Sequence, residues 1–104
     1  MPTNVELYNE ADRLKDEGKL PEAVEKLQEL LTLAPNDALA HAALAVNLGK
    51  LGRHDEAIEH AKTVCRLEPD DAFSYTALSV CCQRAGRIME AEDALARARI
   101  MHGH

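Results

Sequence analysis

Three glycines, Gly18, Gly52 and Gly86, stand 34 residues apart, and the same interval recurs along the chain. Ala23, Ala57 and Ala91 share it, each preceded by a glutamate: Glu22, Glu56 and Glu90. So do Pro35 and Pro69, Asp37 and Asp71, Leu33 and Leu67, and Leu44 and Leu78. A period of this length marks stacked supersecondary units, each too small to bury its own apolar face. The units run 4–37, 38–71 and 72–104 and occupy nearly all of the 104 residues, so a single domain is expected.

The punctuation within each unit predicts its contents. Each glycine separates two apolar-periodic segments, where a helix must stop and a left-handed residue is needed. Each proline of the Pro35 and Pro69 pair stands at the other junction, where it cannot continue the preceding helix. Asn36 and Asp70 then serve as N-caps, with Asp37 and Asp71 in the first turn. Thr3 with Glu6 reads as a capping box, and Pro21 falls near the first position of the second helix. Six helices follow, near 4–17, 21–33, 37–50, 54–67, 71–84 and 88–101, with short loops that make successive helices antiparallel. Alanine and leucine supply most of the apolar material. The aromatic residues are only Phe73, Tyr8 and Tyr75, so close-packed helices are favoured over sheets. The expected class is all-α.

The middle unit shows how the faces meet. Leu44 and Leu48 share one stripe of its first helix, and Ala57, Ala61 and Val64 form the facing stripe of its second. Alanine at 57 and 91 lets two helices approach closely, so Ala57→Leu is expected to overpack the hairpin at a cost of about 1–3 kcal/mol.

The ordered pattern Leu44, Ala45, Leu48, Gly52, Ala57, Ala61, Val64 and Pro69 resembles the tetratricopeptide repeat. Its counterparts are Ala11, Leu14, Gly18, Ala23, Leu27, Leu30 and Pro35 in the first unit. In the third they are Tyr75, Leu78, Ser79, Gly86, Ala91, Leu95 and Ala98. The family's early aromatic is replaced by Leu7 and His41, and its later tyrosine by Leu14, Leu48 and Cys82. The resemblance covers the whole chain and implies a right-handed α-solenoid of three helical hairpins, with the first helix of each lining a concave face.

It also implies where a partner binds. The groove would present Val5, Tyr8, Asp12 and Lys15 from the first repeat, and Leu39, Ala42, Val46 and Lys50 from the second. The third would add Phe73, Thr76, Val80 and Arg84. Some members hold the C-terminal carboxylate of chaperones in a clamp of lysines, asparagines and an arginine. The corresponding positions here are Tyr8, Asp12, Ala43, Phe73 and Ala77, and only Tyr8 is any donor to a carboxylate. The expected guest is an apolar or aromatic peptide segment or a partner helix, rather than an acidic tail. Leu39, Val46, Phe73 and Val80 would otherwise simply pack against neighbouring helices.

Charge narrows the partner classes. The formal net charge of −6 disfavours nucleic acid, whose binding rests on cations neutralising phosphates, and it disfavours anionic membranes. A 35-residue RNA-reading repeat is set aside by the period and the acidic balance. No apolar stretch approaches the ~20 residues of a membrane span. The opening Met1-Pro2-Thr3-Asn4-Val5-Glu6 lacks the regions of a signal peptide, and three cysteines suit no disulfide framework, so a cytoplasmic setting is expected. The first repeat carries nine acids against four bases, the second six against four, and the third three against four. That gradient would suit head-to-tail association, but the simpler reading, solvated faces laced by Glu22–Lys26 and Asp93–Arg97 pairs, is preferred.

Catalysis and cofactors are not expected. Gly-rich phosphate loops, G-x-S-x-G and His–Cys nucleophile patterns are missing from the sequence. His41, His54, His60, Cys65, Cys81 and Cys82 show no metal-ligand spacing, and residues 81 and 82 point in different directions on a helix. The cysteines read as small buried hydrophobes, with Cys81 near Cys65 across a repeat junction, and not as a metal or redox sensor. The closing His102-Gly103-His104 would pick up copper or nickel only adventitiously. Leu95 and Ala98 have no following repeat to cover them, so either the chain is a piece of a longer protein or another chain covers them, and a homodimer or longer assembly through the terminal hairpin is the alternative to a peptide-binding scaffold.

Overall fold

The computed structural model describes residues 1–102, so the terminal His-Gly-His motif lies partly outside it. Six helices follow one another: α1 Asn4–Asp16, α2 Leu20–Leu33, α3 Ala38–Lys50, α4 His54–Leu67, α5 Ala72–Arg84 and α6 Ile88–His102. No strand occurs among the described residues. Each odd helix pairs with the even helix after it, and the hairpins stack through α2 against α3 and α4 against α5. The stack measures 43 × 26 × 20 Å.

Every hairpin turns in the same way. Gly18, Gly52 and Gly86 have φ of 80°, 80° and 78°, the left-handed conformation that other residues resist. Around Gly18 the Lys19 N–H donates to the Leu14 carbonyl at 2.8 Å and the Gly18 N–H to the Lys15 carbonyl at 3.0 Å. These two bonds form a Schellman motif that satisfies the last carbonyls of α1. Arg53 to Leu48 and Arg87 to Cys82 repeat the longer bond at 2.9 and 2.8 Å.

The helix starts depart in part from expectation. Thr3 caps α1 as expected, its hydroxyl accepting from the Glu6 N–H at 3.1 Å and donating to Glu6 Oε1. Pro21 sits in the first turn of α2, where its missing N–H costs nothing. The caps of α3 and α5, however, are Asp37 and Asp71 rather than Asn36 and Asp70. Asp37 Oδ1 accepts from the Ala40 N–H at 3.1 Å, and Asp71 Oδ1 from the Phe73 N–H at 3.0 Å. Each proline and the residue after it are spent on a turn before the helix begins, which moves each cap one residue on.

The core runs along the stack as two buried clusters. Leu7, Ala11, Leu27, Leu30, Leu44 and Leu48 tie the first repeat to the second, and Ile58, Cys82 and Ala91 tie the second to the third. Ala23, Ala57 and Ala91 are all buried where paired helices come closest. The facing stripe of α4 is Ala57, Ile58, Ala61 and Cys65, while Val64 is only half-buried. Ile58 lies one residue beyond the expected alanine line and faces the third repeat, so it answers to a junction rather than to its own hairpin. Ala98 is also buried, covered by its own hairpin rather than left bare as expected, and Leu95 is half-buried. Exposure in α6 falls instead on Ile88, Met89 and Ile100.

Neither expected i, i+4 ion pair forms. Lys26 pairs with Glu29 at 3.7 Å, and the Arg97 guanidinium lies 5.5 Å from the centre of the Tyr75 ring. Between repeats, Arg87 reaches Asp55 at 2.6 Å and Lys62 reaches Glu90 at 3.8 Å.

Candidate functional site

The first helices of the three hairpins present the residues read as a groove, and they divide into two groups. Tyr8, Asp12, Lys15, Leu39, Ala42 and Val46 line one cavity of about 260 Å³ between α1 and α3. Ala11, Leu27, Ala43 and Asn47 complete its wall and floor. Val5 lies beside it in a shallower hollow of about 220 Å³, which it shares with Tyr8 and Leu39.

Phe73, Thr76, Val80 and Arg84 stand apart from that cavity on α5, and Lys50, the last residue of α3, is not among its lining residues either. Phe73 projects with 73% of its surface exposed, and the His102 ring meets it edge-on with centres 5.8 Å apart. Thr76 is half-buried and its hydroxyl donates to the Ala72 carbonyl at 3.3 Å. Arg84 reaches back to α3, where a Cβ placed on Gly49 would lie 3.7 Å from its Nη1. Gly49 therefore leaves room for a guanidinium to lie across the line between the second and third repeats.

The charges of the cavity are already paired. Lys15 Nζ is 3.0 Å from Asp12 Oδ1 and 3.8 Å from Asp16 Oδ1. The hydrogen bond and charge of Asp12 raise the Lys15 pKa above its ordinary value, against a smaller opposing effect of burial. A guest carboxylate at this end would have to compete with two aspartates for one ammonium.

Asn47 is the residue that the sequence reading did not include. It is 2% exposed, and its Oδ1 is buried without a hydrogen-bond partner. The signal was present: one carboxamide in the largely apolar Ala38–Lys50 helix, whose other polar side chains are His41 and Lys50, three residues after the buried Leu44. Residues three apart share a helix face, so a polar group there had to enter the packed side.

The cysteines and histidines do other work. Cys65 and Cys82 are buried and Cys81 half-buried, all three as free thiols. Burial pushes their pKa values up, that of Cys65 to about 11, which keeps them protonated. Among the described residues no group of three or more His, Cys, Asp or Glu is placed to hold a metal ion. His41 fills the slot of the family's early aromatic and is buried there. No helix of the described residues is long and apolar enough to cross a membrane.

Comparison with known proteins agrees with this architecture. Residues 11–52 match the family model described as TPR repeat. No curated protein sequence matches the chain. Among solved structures, the crystal structure of MamA superposes with a TM-score of 0.89 at 20% identity, over 97% of this chain and 59% of that one. YrrB, described as a TPR protein with an unusual peptide-binding site, gives 0.87 at 22% identity, over 97% of this chain and 52% of that one. The second TPR of Spaghetti (RPAP3), bound to the HSP90 peptide SRMEEVD, gives 0.85 at 16% identity, over 95% and 92%. The chain thus spans little more than half the length of MamA and YrrB, and likenesses at this identity speak to the fold. The repeat model matches residues 11–52, and the same hairpin stack continues on both sides of them, so the chain has the fold of a tetratricopeptide-repeat array.

Proposed function

We propose that the protein is a non-catalytic interaction module that holds an apolar or aromatic segment of a partner polypeptide against its α1, α3 and α5 face. One observation carries the reading. Leu39, Val46, Phe73 and Val80 are 67%, 47%, 73% and 39% exposed, all on first helices, although a monomer gains nothing by showing them to water. The alternative, that these four merely pack against neighbouring helices, does not account for that exposure. Peptide binding by Spaghetti and the peptide-binding site of YrrB support a similar use of the fold here.

The pairing of Lys15 with Asp12 and Asp16, and the apolar Ala43, Phe73 and Ala77 at clamp positions, count against an acidic tail as the guest. The test is a displayed peptide library selected on the protein and counter-selected on the V46E/F73E double variant. Enrichment of apolar and aromatic segments is expected. Micromolar binding of the SRMEEVD peptide, lost when Lys50 or Arg84 is removed, would overturn the proposal.

A second reading has its own observation. Met89 and Ile100 are 77% and 65% exposed and fall on one face of α6 by helical periodicity, which supports self-association through the last hairpin. Sedimentation of wild type against M89E/I100E separates the two. A strict monomer at high concentration removes the second reading and leaves the first.

A further inference from the structure

α3 and α5 carry the same shape on their exposed side. On α3, Leu39 and Val46 are exposed with Ala42 and Ala43 between them. On α5, Val80 and Phe73, which stays exposed beside His102, flank Thr76 and Ala77 in the same way. Residues at i, i+3, i+4 and i+7 share one helix face, so each helix shows a saddle of large, small, small and large side chains. A Cβ on Gly49 would meet Arg84 Nη1 at 3.7 Å, which sets the last turns of α3 and α5 side by side and brings the two saddles into line. The same stripe of α1 ends in Tyr8, Asn9 and Asp12, so the apolar channel belongs to the second and third repeats.

The channel selects its guest by width and by floor. Its two rows of large residues lie about 10.5 Å apart along the helices, comparable to the diameter of an α-helix with its side chains. Ala42, Ala43 and Ala77 have no polar side-chain atom, and Thr76 spends its hydroxyl proton on the Ala72 carbonyl. An extended chain laid on this floor would bury N–H and C=O groups without partners, whereas a helix bonds its own. Small floor residues also let a second helix approach closely. Beyond Val46 and Val80, four residues on, stand the exposed Lys50 and Arg84. Neither is in an ion pair among the described residues.

Resting on the reading of this face as a partner site, we propose that the guest is an amphipathic α-helix laid across α3 and α5 in this channel. Its apolar stripe sits on the alanines, and carboxylates line the flank that passes Lys50 and Arg84. Packed helices lie about 8–10 Å apart, close to two turns of the guest, so apolar residues at i and i+7 meet one saddle each. The stripe anchors and the carboxylates orient, which separates this guest from a free acidic tail.

The test uses two fluorescein-labelled peptides of one sequence, with leucine at i, i+3, i+4 and i+7 and glutamates along one flank. One is held helical by a hydrocarbon staple on its far face, and the other has two residues in the D form, which break the helix. Fluorescence anisotropy should show the helical probe binding about 10-fold more tightly than the broken one. Ala77→Phe, at an exposed position, raises the floor and should weaken the helical probe about 10-fold with the circular dichroism unchanged. K50E/R84E should weaken it about 5- to 10-fold, and a probe with lysines on that flank should regain the loss. Equal or tighter binding of the broken probe overturns the helix and leaves the apolar face as a binding surface. A helical probe indifferent to Ala77→Phe overturns the channel, and one indifferent to K50E/R84E overturns the acidic flank. Binding of neither probe overturns the inference, while the library selection on V46E/F73E still reports independently on the wider groove.

Discussion

His41 and His60 meet across α3 and α4 with their Nδ1 atoms 2.9 Å apart, while His41 Nε2 lies 2.8 Å from the Pro35 carbonyl oxygen. That carbonyl can only accept, so His41 carries its proton on Nε2 and offers the Nδ1 lone pair to the Nδ1–H of His60. The pair ties the second hairpin together and also anchors the turn that ends the first repeat.

Burial, and then the neighbouring His41, lower the pKa of His60 below its ordinary 6.5, while Glu56 and Glu59 pull it weakly back up. The unfolded chain therefore takes up this proton more readily than the folded one. The stability is whole above about pH 6.5 and declines as the pH falls from there towards the lower folded value. Tm measured from pH 8 to pH 5 should fall further for wild type than for His60→Gln, which keeps an N–H donor but does not titrate. Parallel curves would remove the coupling.

Two glycines of the second repeat should respond to alanine in opposite directions. Gly52 has φ +80°, so Gly52→Ala forces a left-handed alanine and should cost roughly 1–2 kcal/mol. Gly49 lies within α3, and the nearest atom to an added Cβ is Arg84 Nη1 at an ordinary 3.7 Å. Gly49→Ala should stabilise by about 0.5–1 kcal/mol through backbone entropy. Urea denaturation of both variants checks the signs, and a shared sign refutes the account of the turn.

Asn47→Ala should raise stability by about 1 kcal/mol, although it removes a buried side chain. It deletes an acceptor that has no partner and substitutes the best helix former in the middle of α3. A loss above about 1 kcal/mol in urea would mean that the carboxamide is satisfied in solution.

The thiols should be slow. With its pKa raised to about 11, Cys65 holds roughly two orders of magnitude less thiolate at pH 8 than a free cysteine does. Ellman's reagent should label the native protein far more slowly than the urea-unfolded one. Rapid native labelling of all three thiols would place them at the surface instead.

Much of the fold was legible because a 34-residue period forces one solution. Glycine at 18, 52 and 86 needs a left-handed turn, proline at 35 and 69 ends a helix, and small alanines at 23, 57 and 91 bring two helices together. These are demands of the local backbone and of a face, and both are carried by residues close together in the chain. The exact caps were less certain, because Asn36, Asp37, Asp70 and Asp71 are all competent caps. Only the length of the turn after each proline selects one.

What the packed structure alone decided lies between helices, within a hairpin and across repeats. Sequence showed that Asn47, His41, Arg97 and Ile58 were on helices, but not what each would meet. Asn47 is buried, and its Oδ1 meets no donor. His41 found His60 nineteen positions away, Arg97 found Tyr75, and Ile58 closed the junction with the third repeat. Periodicity sets which way a side chain points from its own helix. The partner it reaches depends on how neighbouring hairpins pack, and that is settled by the shapes of all the side chains between them.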